Sequence, residues 1–207
     1  MKEVLLPDKL LLQLQDIYKK LEQDYQKVAG ELGFSCTGCP DNCCDSYFLH
    51  HTYAEWAYLW LGFNKLDPPK KTEILEKSRD YINLCDMADK KGERPQVMCP
   101  LNGNGLCTLY EHRLLVCRTH GVPAALTRPD GQKMDFPGCF LCQEIVQEKY
   151  GKEEPPYVER TPLLQKIVLL ENELLDNKRH LMPKVKMTIA EMLVKGPPGI
   201  PIPHCQR

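Results

Sequence analysis

The sequence predicts a mainly α protein: a small helical bundle packed around an irregular, loop-rich cysteine cluster that metal stabilises. Three observations predict it. Apolar residues recur at helical spacing near both ends of the chain, residues 92–142 show no sustained period, and 11 of the 207 residues are cysteine. The expected organisation is an N-terminal helical segment over 1–34, a cysteine-cluster metal-binding domain over 35–150, and C-terminal helices with an extended tail over 151–207, all in one globule.

The first helix is expected over 7–33. Leu10, Leu14, Ile17, Leu21, Tyr25, Val28 and Leu32 follow each other at steps of three and four, which places them on one helical face. Pro7 suits the first turn and Gly33 the stop. A second helix is expected over 52–62: Thr52 and Glu55 form a capping pair, and Gly62 is read as the residue that ends it. Trp56, Tyr58, Leu59 and Trp60 make it apolar nearly all round, so it is expected in the core. Asp67, Pro68 and Pro69 open a third helix running to about Lys91, with Ile74, Tyr81, Ile82, Cys85 and Ala88 on its inner side.

Residues 92–142 read as loops and turns. About 50 such residues are hard to hold by apolar burial alone, because ordering costs about 1–2 kcal/mol per residue, so a cross-link is expected. A short helix is expected over 140–150 and a charged linker over 151–157. Thr161 and Pro162 then open a long helix with Leu163, Ile167, Leu170, Leu174 and Leu181 on its stripe, ended or kinked by Pro183. A last helix over about 185–195 turns Ile189, Met192 and Leu193 inward, and the Pro-rich tail is expected to be extended.

Composition narrows the function. The 27 basic and 28 acidic side chains leave a net charge of -1, so no global field draws the chain to nucleic acid or to an anionic membrane. No stretch has the length and apolarity of a membrane span, and the first residues lack the apolar core of a secretory leader. A cytoplasmic protein is expected. In that reducing setting clustered cysteines are metal ligands or redox thiols more often than disulfides.

Cys36, Cys39, Cys43 and Cys44 read C-x2-C-x3-C-C, with Gly38, Pro40 and Asn42 supplying turns. Two residues between cysteines is the chelating spacing of zinc and iron-sulphur loops, since a tight turn brings both sulphurs to one ion. A second group holds Cys99, Cys107 and Cys117, together with Tyr110, Arg113 and Arg118. A third is the Cys139-x2-Cys142 pair after a Pro137-Gly138 turn. Four ligands close a tetrahedral site, so these nine cysteines exceed two such sites by one. Cys85 and Cys205 are read instead as an ordinary buried residue and a tail residue.

Together the C-x2-C-x3-C-C run and the C-P-x-L-x5-C-x2-Y-x2-R-x3-C-R segment over 99–118 resemble the YkgJ-type cysteine-cluster family, described as zinc- or iron-chelating proteins. The resemblance covers about residues 35–142. It implies that Cys36, Cys39, Cys43, Cys44, Cys107 and Cys117 bind metal, with Cys99, Cys139 and Cys142 joined to them less directly. Leu114 stands where the family commonly has Pro. The family brings no settled reaction, although related cysteine patterns occur in flagellin lysine methylases.

Zinc, iron and an iron-sulphur cluster all remain open. Three thiolates in one loop with a fourth from a distant segment suit a cubane cluster, while paired C-x2-C units suit zinc equally. The reading is therefore a metal-binding cysteine-cluster protein; the alternative is an iron-sulphur enzyme or electron carrier, related to methyltransferases. The order C-x2-C-x3-C reverses the motif of radical enzymes that use S-adenosylmethionine. His50, His51, His112 and His120 are weaker candidates for mixed ligation. Arg113 and Arg118 can offset thiolate charge or serve as surface ion pairs. The Asn102-Gly103-Asn104-Gly105 run is a turn, since no lysine follows it as in a phosphate-binding loop.

Overall fold

The periodic segments fold as helices. The computed structural model describes residues 2–37 and 43–201, so Cys39 and Cys205 lie outside the described residues. Its helices are α1 (Asp8–Leu32), α2 (Tyr53–Asn64), α3 (Pro68–Lys90), α4 (Leu115–Thr119), α5 (Phe140–Tyr150), α6 (Thr161–Leu174) and α7 (Ile189–Lys195). Short strands join them: β1 (Lys2–Glu3), β2 (Asn102–Gly103), β3 (Leu106–Cys107), β4 (Ala124–Thr127), β5 (Lys133–Phe136), β6 (Val158–Glu159) and β7 (Gly199–Ile200). The protein is mainly α, as expected. No helix among the described residues is long and apolar enough to cross a membrane.

The chain forms two compact units, each assembled from separated segments. Unit 1 is Met1–Leu11, Cys44–Leu114 and Leu170–Arg207; unit 2 is Leu12–Cys43 and Leu115–Leu169.

Unit 1 is organised by the apolar α2. Thr52 caps it by accepting from the Glu55 amide at 3.1 Å, and its hydroxyl donates to the Glu55 carboxylate at 2.9 Å. Trp56, Tyr58, Leu59 and Phe63 are buried. Trp56 Nε1 donates to the carbonyls of Met192 and Gly196, which fixes the end of α7. Asp67 caps α3 through the Lys70 amide, and α3 packs on α7 through Tyr81, Cys85 and Ala190. The expected last helix is shorter than its pattern, because Thr188 forms a full capping box with Glu191 while Met187 exchanges backbone hydrogen bonds with His50. β1 and β7 pair antiparallel.

Gly62 does not end α2. The helix continues to Asn64, and a Cβ at Gly62 would lie 2.4 Å from His112 Cγ. The glycine is there for close approach: the His112 ring lies against the helix and packs 4.9 Å from the Tyr58 ring. In open space Gly→Ala inside a helix gains about 1 kcal/mol. Here Gly62→Ala is expected to destabilise by about 1–3 kcal/mol through overpacking, read from the urea midpoint; a stabilised variant would show that His112 yields freely.

His50 is 2 % exposed and neither ring nitrogen has a hydrogen-bond partner. Burial lowers its pKa from the usual 6.5, the Glu55 charge opposes this and His51 adds to it. The imidazole is therefore held neutral in the folded chain. Below about pH 6.5 the unfolded chain takes up a proton that the folded chain refuses, so this group costs stability as pH falls and has no effect above that range. Urea titrations across this range should show a slope that His50→Leu flattens; an unchanged slope would assign it to other groups.

Unit 2 contains the rest of α1, whose Leu14, Ile17, Tyr18, Leu21, Val28 and Leu32 are buried as the stripe requires. The expectation that 92–142 is built of loops alone needs correction. Ala124–Thr127 pairs antiparallel with Lys133–Phe136 and parallel with Val158–Glu159, giving a three-stranded sheet in the order β5, β4, β6. Val122, Ala124, Ala125 and Val158 are buried there. The strands are too short for an alternating pattern to separate them from turns. Helix α6 also ends earlier than its stripe, since Asp176 and Asn177 take left-handed φ values of 51° and 60°. Beyond this stop Leu181 is 67 % exposed and Leu175 is buried in place of Leu174.

Candidate metal centre

The nine described cysteines stand as thiols. In unit 2, Cys36 follows α1, and Cys139 and Cys142 stand at the start of α5. Lys149 of α5 donates to the Leu32 carbonyl at 2.6 Å, a favourable contact for a cation at a helix C-terminus, and so ties α5 to the start of the first cysteine loop. Cys139 is the N-cap of α5 and Cys142 lies in its first turn.

Tyr25 stands between the two cysteine segments. Its hydroxyl lies 3.7 Å from Cys36 Sγ. Burial raises its pKa, and the thiols of Cys36, Cys139 and Cys43 raise it further. Burial also pushes Cys142 up to about 11, with Cys139 and Cys36 adding to the shift. Crowded thiols thus resist losing their protons together, and a bound cation would relieve that resistance.

Two glycines make room for this arrangement. A Cβ on Gly121 would lie 2.5 Å from the Tyr25 hydroxyl, and one on Gly138 would lie 2.6 Å from the Gly121 carbonyl oxygen. That same carbonyl accepts from the Cys139 amide at 3.1 Å. Cys117 is half-buried in α4 of this unit, and the adjacent Arg118 guanidinium lies 4.5 Å from the centre of the Tyr18 ring.

In unit 1 the Cys99 amide donates to the Cys44 carbonyl at 2.8 Å. Cys107 faces Asn102 across the β2–β3 hairpin. Arg113 stacks on Tyr110 at 3.7 Å, so its guanidinium has an aromatic partner. Cys85 is buried, as its place on the inner face of α3 predicts. Among the described residues no group of three or more His, Cys, Asp or Glu side chains is placed to hold a metal ion.

Cys36 is therefore within electrostatic reach of Cys142, and it shares the Tyr25 hydroxyl with Cys139. Sequence reasoning named these cysteines but missed Tyr25, which it counted as one more residue on an apolar stripe, and Gly121. The Pro137-Gly138 turn before Cys139 was visible as a turn, without the close approach that requires glycine. Compared with protein-family models, curated proteins and solved structures, the chain matches none.

Proposed function

We propose that this chain is a cysteine-cluster protein that binds zinc or iron, the iron either as an ion or in an iron-sulphur cluster. One observation carries the reading: the half-buried Tyr25 hydroxyl lies 3.7 Å from Cys36 Sγ and within electrostatic reach of Cys43 and of Cys139, about a hundred residues on, and Cys139 and Cys36 in turn act on Cys142. Donor chemistry fits, since soft thiolates select zinc and iron-sulphur centres over hard cations. Cys36, Cys43, Cys139 and Cys142 would hold the metal, joined by Cys39 and Cys117. The metal would cross-link the segments and, as an iron-sulphur centre, would carry electrons. Tyr25 would donate a hydrogen bond to the Cys36 thiolate and orient it. A reducing cytoplasm suits such thiols.

Metal analysis of protein purified without oxygen tests the reading. Colourless protein holding stoichiometric zinc is expected if the metal is structural. A brown preparation absorbing near about 400 nm would favour the iron-sulphur enzyme or electron carrier that the Cys36, Cys39 and Cys43 loop also suits. Folded, reduced protein that holds no metal, and takes none from added zinc or from iron with sulphide, would refute both.

A further inference from the structure

A metal needs three or four ligands brought together, whereas a disulfide needs only two sulphurs. The Cys139-x2-Cys142 pair supplies them. Cys139 is the N-cap of α5 and Cys142 the third residue of its first turn. The Gln143 amide donates to the Cys139 carbonyl at 2.9 Å, which closes that turn and fixes the two backbone positions relative to each other. Three residues of helix rise about 4.5 Å and stop about 60° short of a full turn, so the two Cα atoms stand about 5 Å apart. Disulfides span Cα separations of about 4.4–6.8 Å. The same pair of positions brings side chains into contact elsewhere in this chain: Thr52 meets Glu55 at 2.9 Å and Thr188 meets Glu191 at 2.8 Å.

Burial makes the two thiols unequal. Cys142 is 0 % exposed, while Cys139 is only half-buried, so a reagent from solvent reaches Cys139 first. The backbone around Cys139 is held on both sides: its amide donates to the Gly121 carbonyl at 3.1 Å, and the Gly138 carbonyl accepts from the Gln143 side-chain amide at 2.9 Å. Cys36 belongs to another segment and is hydrogen-bonded with the Tyr25 hydroxyl at 3.7 Å. The closed turn, not chance encounter, then selects Cys142 over Cys36 as the partner of Cys139.

We propose that Cys139 and Cys142 are a redox dithiol that exchanges with small disulfides of the glutathione class, Cys139 attacking and Cys142 resolving. Cys139 gives its proton to solvent, and its sulphur attacks one sulphur of the small disulfide, expelling the other as a thiolate that takes up a proton. Cys142 then gives up its proton, attacks Cys139 Sγ and expels the second small thiol. One S–S bond breaks and one forms at each step. In all, two electrons and two protons pass from the protein to the small disulfide, which leaves as two thiols. No metal is needed for this chemistry. On the chelation reading above it has a further consequence, since oxidation would withdraw two thiolates from the metal.

The test equilibrates full-length protein, freed of metal by a chelator and kept from oxygen, against oxidised and reduced glutathione at graded ratios. Acid quenching, alkylation of remaining thiols and peptide mass mapping read the result. As the ratio rises, one disulfide joining Cys139 to Cys142 is expected before any other cysteine is oxidised, and excess reduced glutathione should reverse it fully. Cys142→Ser should retain a glutathionyl group on Cys139, and Cys139→Ser should leave Cys142 unmodified in the same mixtures. A first disulfide to Cys36 or to any other cysteine would overturn the proposal, as would glutathione on Cys142 in Cys139→Ser, or alkylation of both thiols at every ratio. The disulfide map is read on the unaltered protein, so it does not depend on whether a variant folds. Chelation is judged separately, by the metal content of the protein as purified, so either reading can fail while the other stands.

Discussion

On the proposed chelation, removing the metal under reducing conditions should release amide protection around Gly121 and over 138–142, while the middle of α1 stays protected. Structural zinc sites contribute about 10–16 kcal/mol in small domains, more than most whole domains have in reserve. The release should nevertheless be local. The three-stranded sheet buries Val122, Ala124, Ala125 and Val158, and the stripe of α1 buries six large side chains in unit 2. Those surfaces remain apolar without metal. Cys36→Ser and Cys139→Ser should lower metal content and thermal stability together, whereas Cys205→Ser should change neither. Full protection of the 138–142 segment after complete metal removal would show that the thiols are not its cross-link.

Gly138→Ala should cost about 3 kcal/mol or more, the largest loss expected from adding a single methyl group to this chain. Its φ of 88° lies in the region where an L side chain is strained, by about 1–3 kcal/mol. The added carbon would also meet the Gly121 carbonyl oxygen at 2.6 Å and the Val122 carbonyl carbon at 3.1 Å. Both obstacles are backbone, so no side chain can rotate away, and overpacking adds about 1–3 kcal/mol. The same shift would pull the Cys139 amide from Gly121, so metal content should fall with stability. Gly30→Ala is the matched control: no atom lies within 4 Å of its added carbon, and it sits inside α1, where the change should gain up to about 1 kcal/mol. Urea midpoints of the two variants decide the matter. A Gly138→Ala protein as stable as the unaltered chain would mean that the 121–138 approach can open without cost.

Helices were legible wherever periodicity and capping agreed. Asp67 with Pro68 set the start of α3, Thr52 with Glu55 set that of α2, and 140–150 folds as α5 over that same span. What misled were residues with two meanings. Gly62 can stop a helix or admit a neighbour, and only His112, fifty residues on, chooses between them. Leu181 continues an apolar stripe in sequence, yet Asp176 and Asn177 turn the chain first. The candidate site was legible as a set of thiols because C-x2-C spacing is local chemistry. What stands beside those thiols was not, since Tyr25 is a phenol on a helical stripe and its hydroxyl carries no signature of the Cys36 sulphur it faces.

Neither unit is a continuous stretch of chain, and this orders events during synthesis. A ribosome adds about 5–20 residues per second, so Cys36 emerges roughly 5–20 s before Cys139 exists to meet it. For that interval the first cysteine loop is a nascent, accessible set of thiols, open to whatever metal or oxidant reaches it first. Unit 1 waits longer still, because its last segment begins at Leu170. On the proposed chelation, the identity of the metal acquired in a cell would then be set partly by supply during translation, and protein refolded in the presence of a chosen metal need not carry the same one.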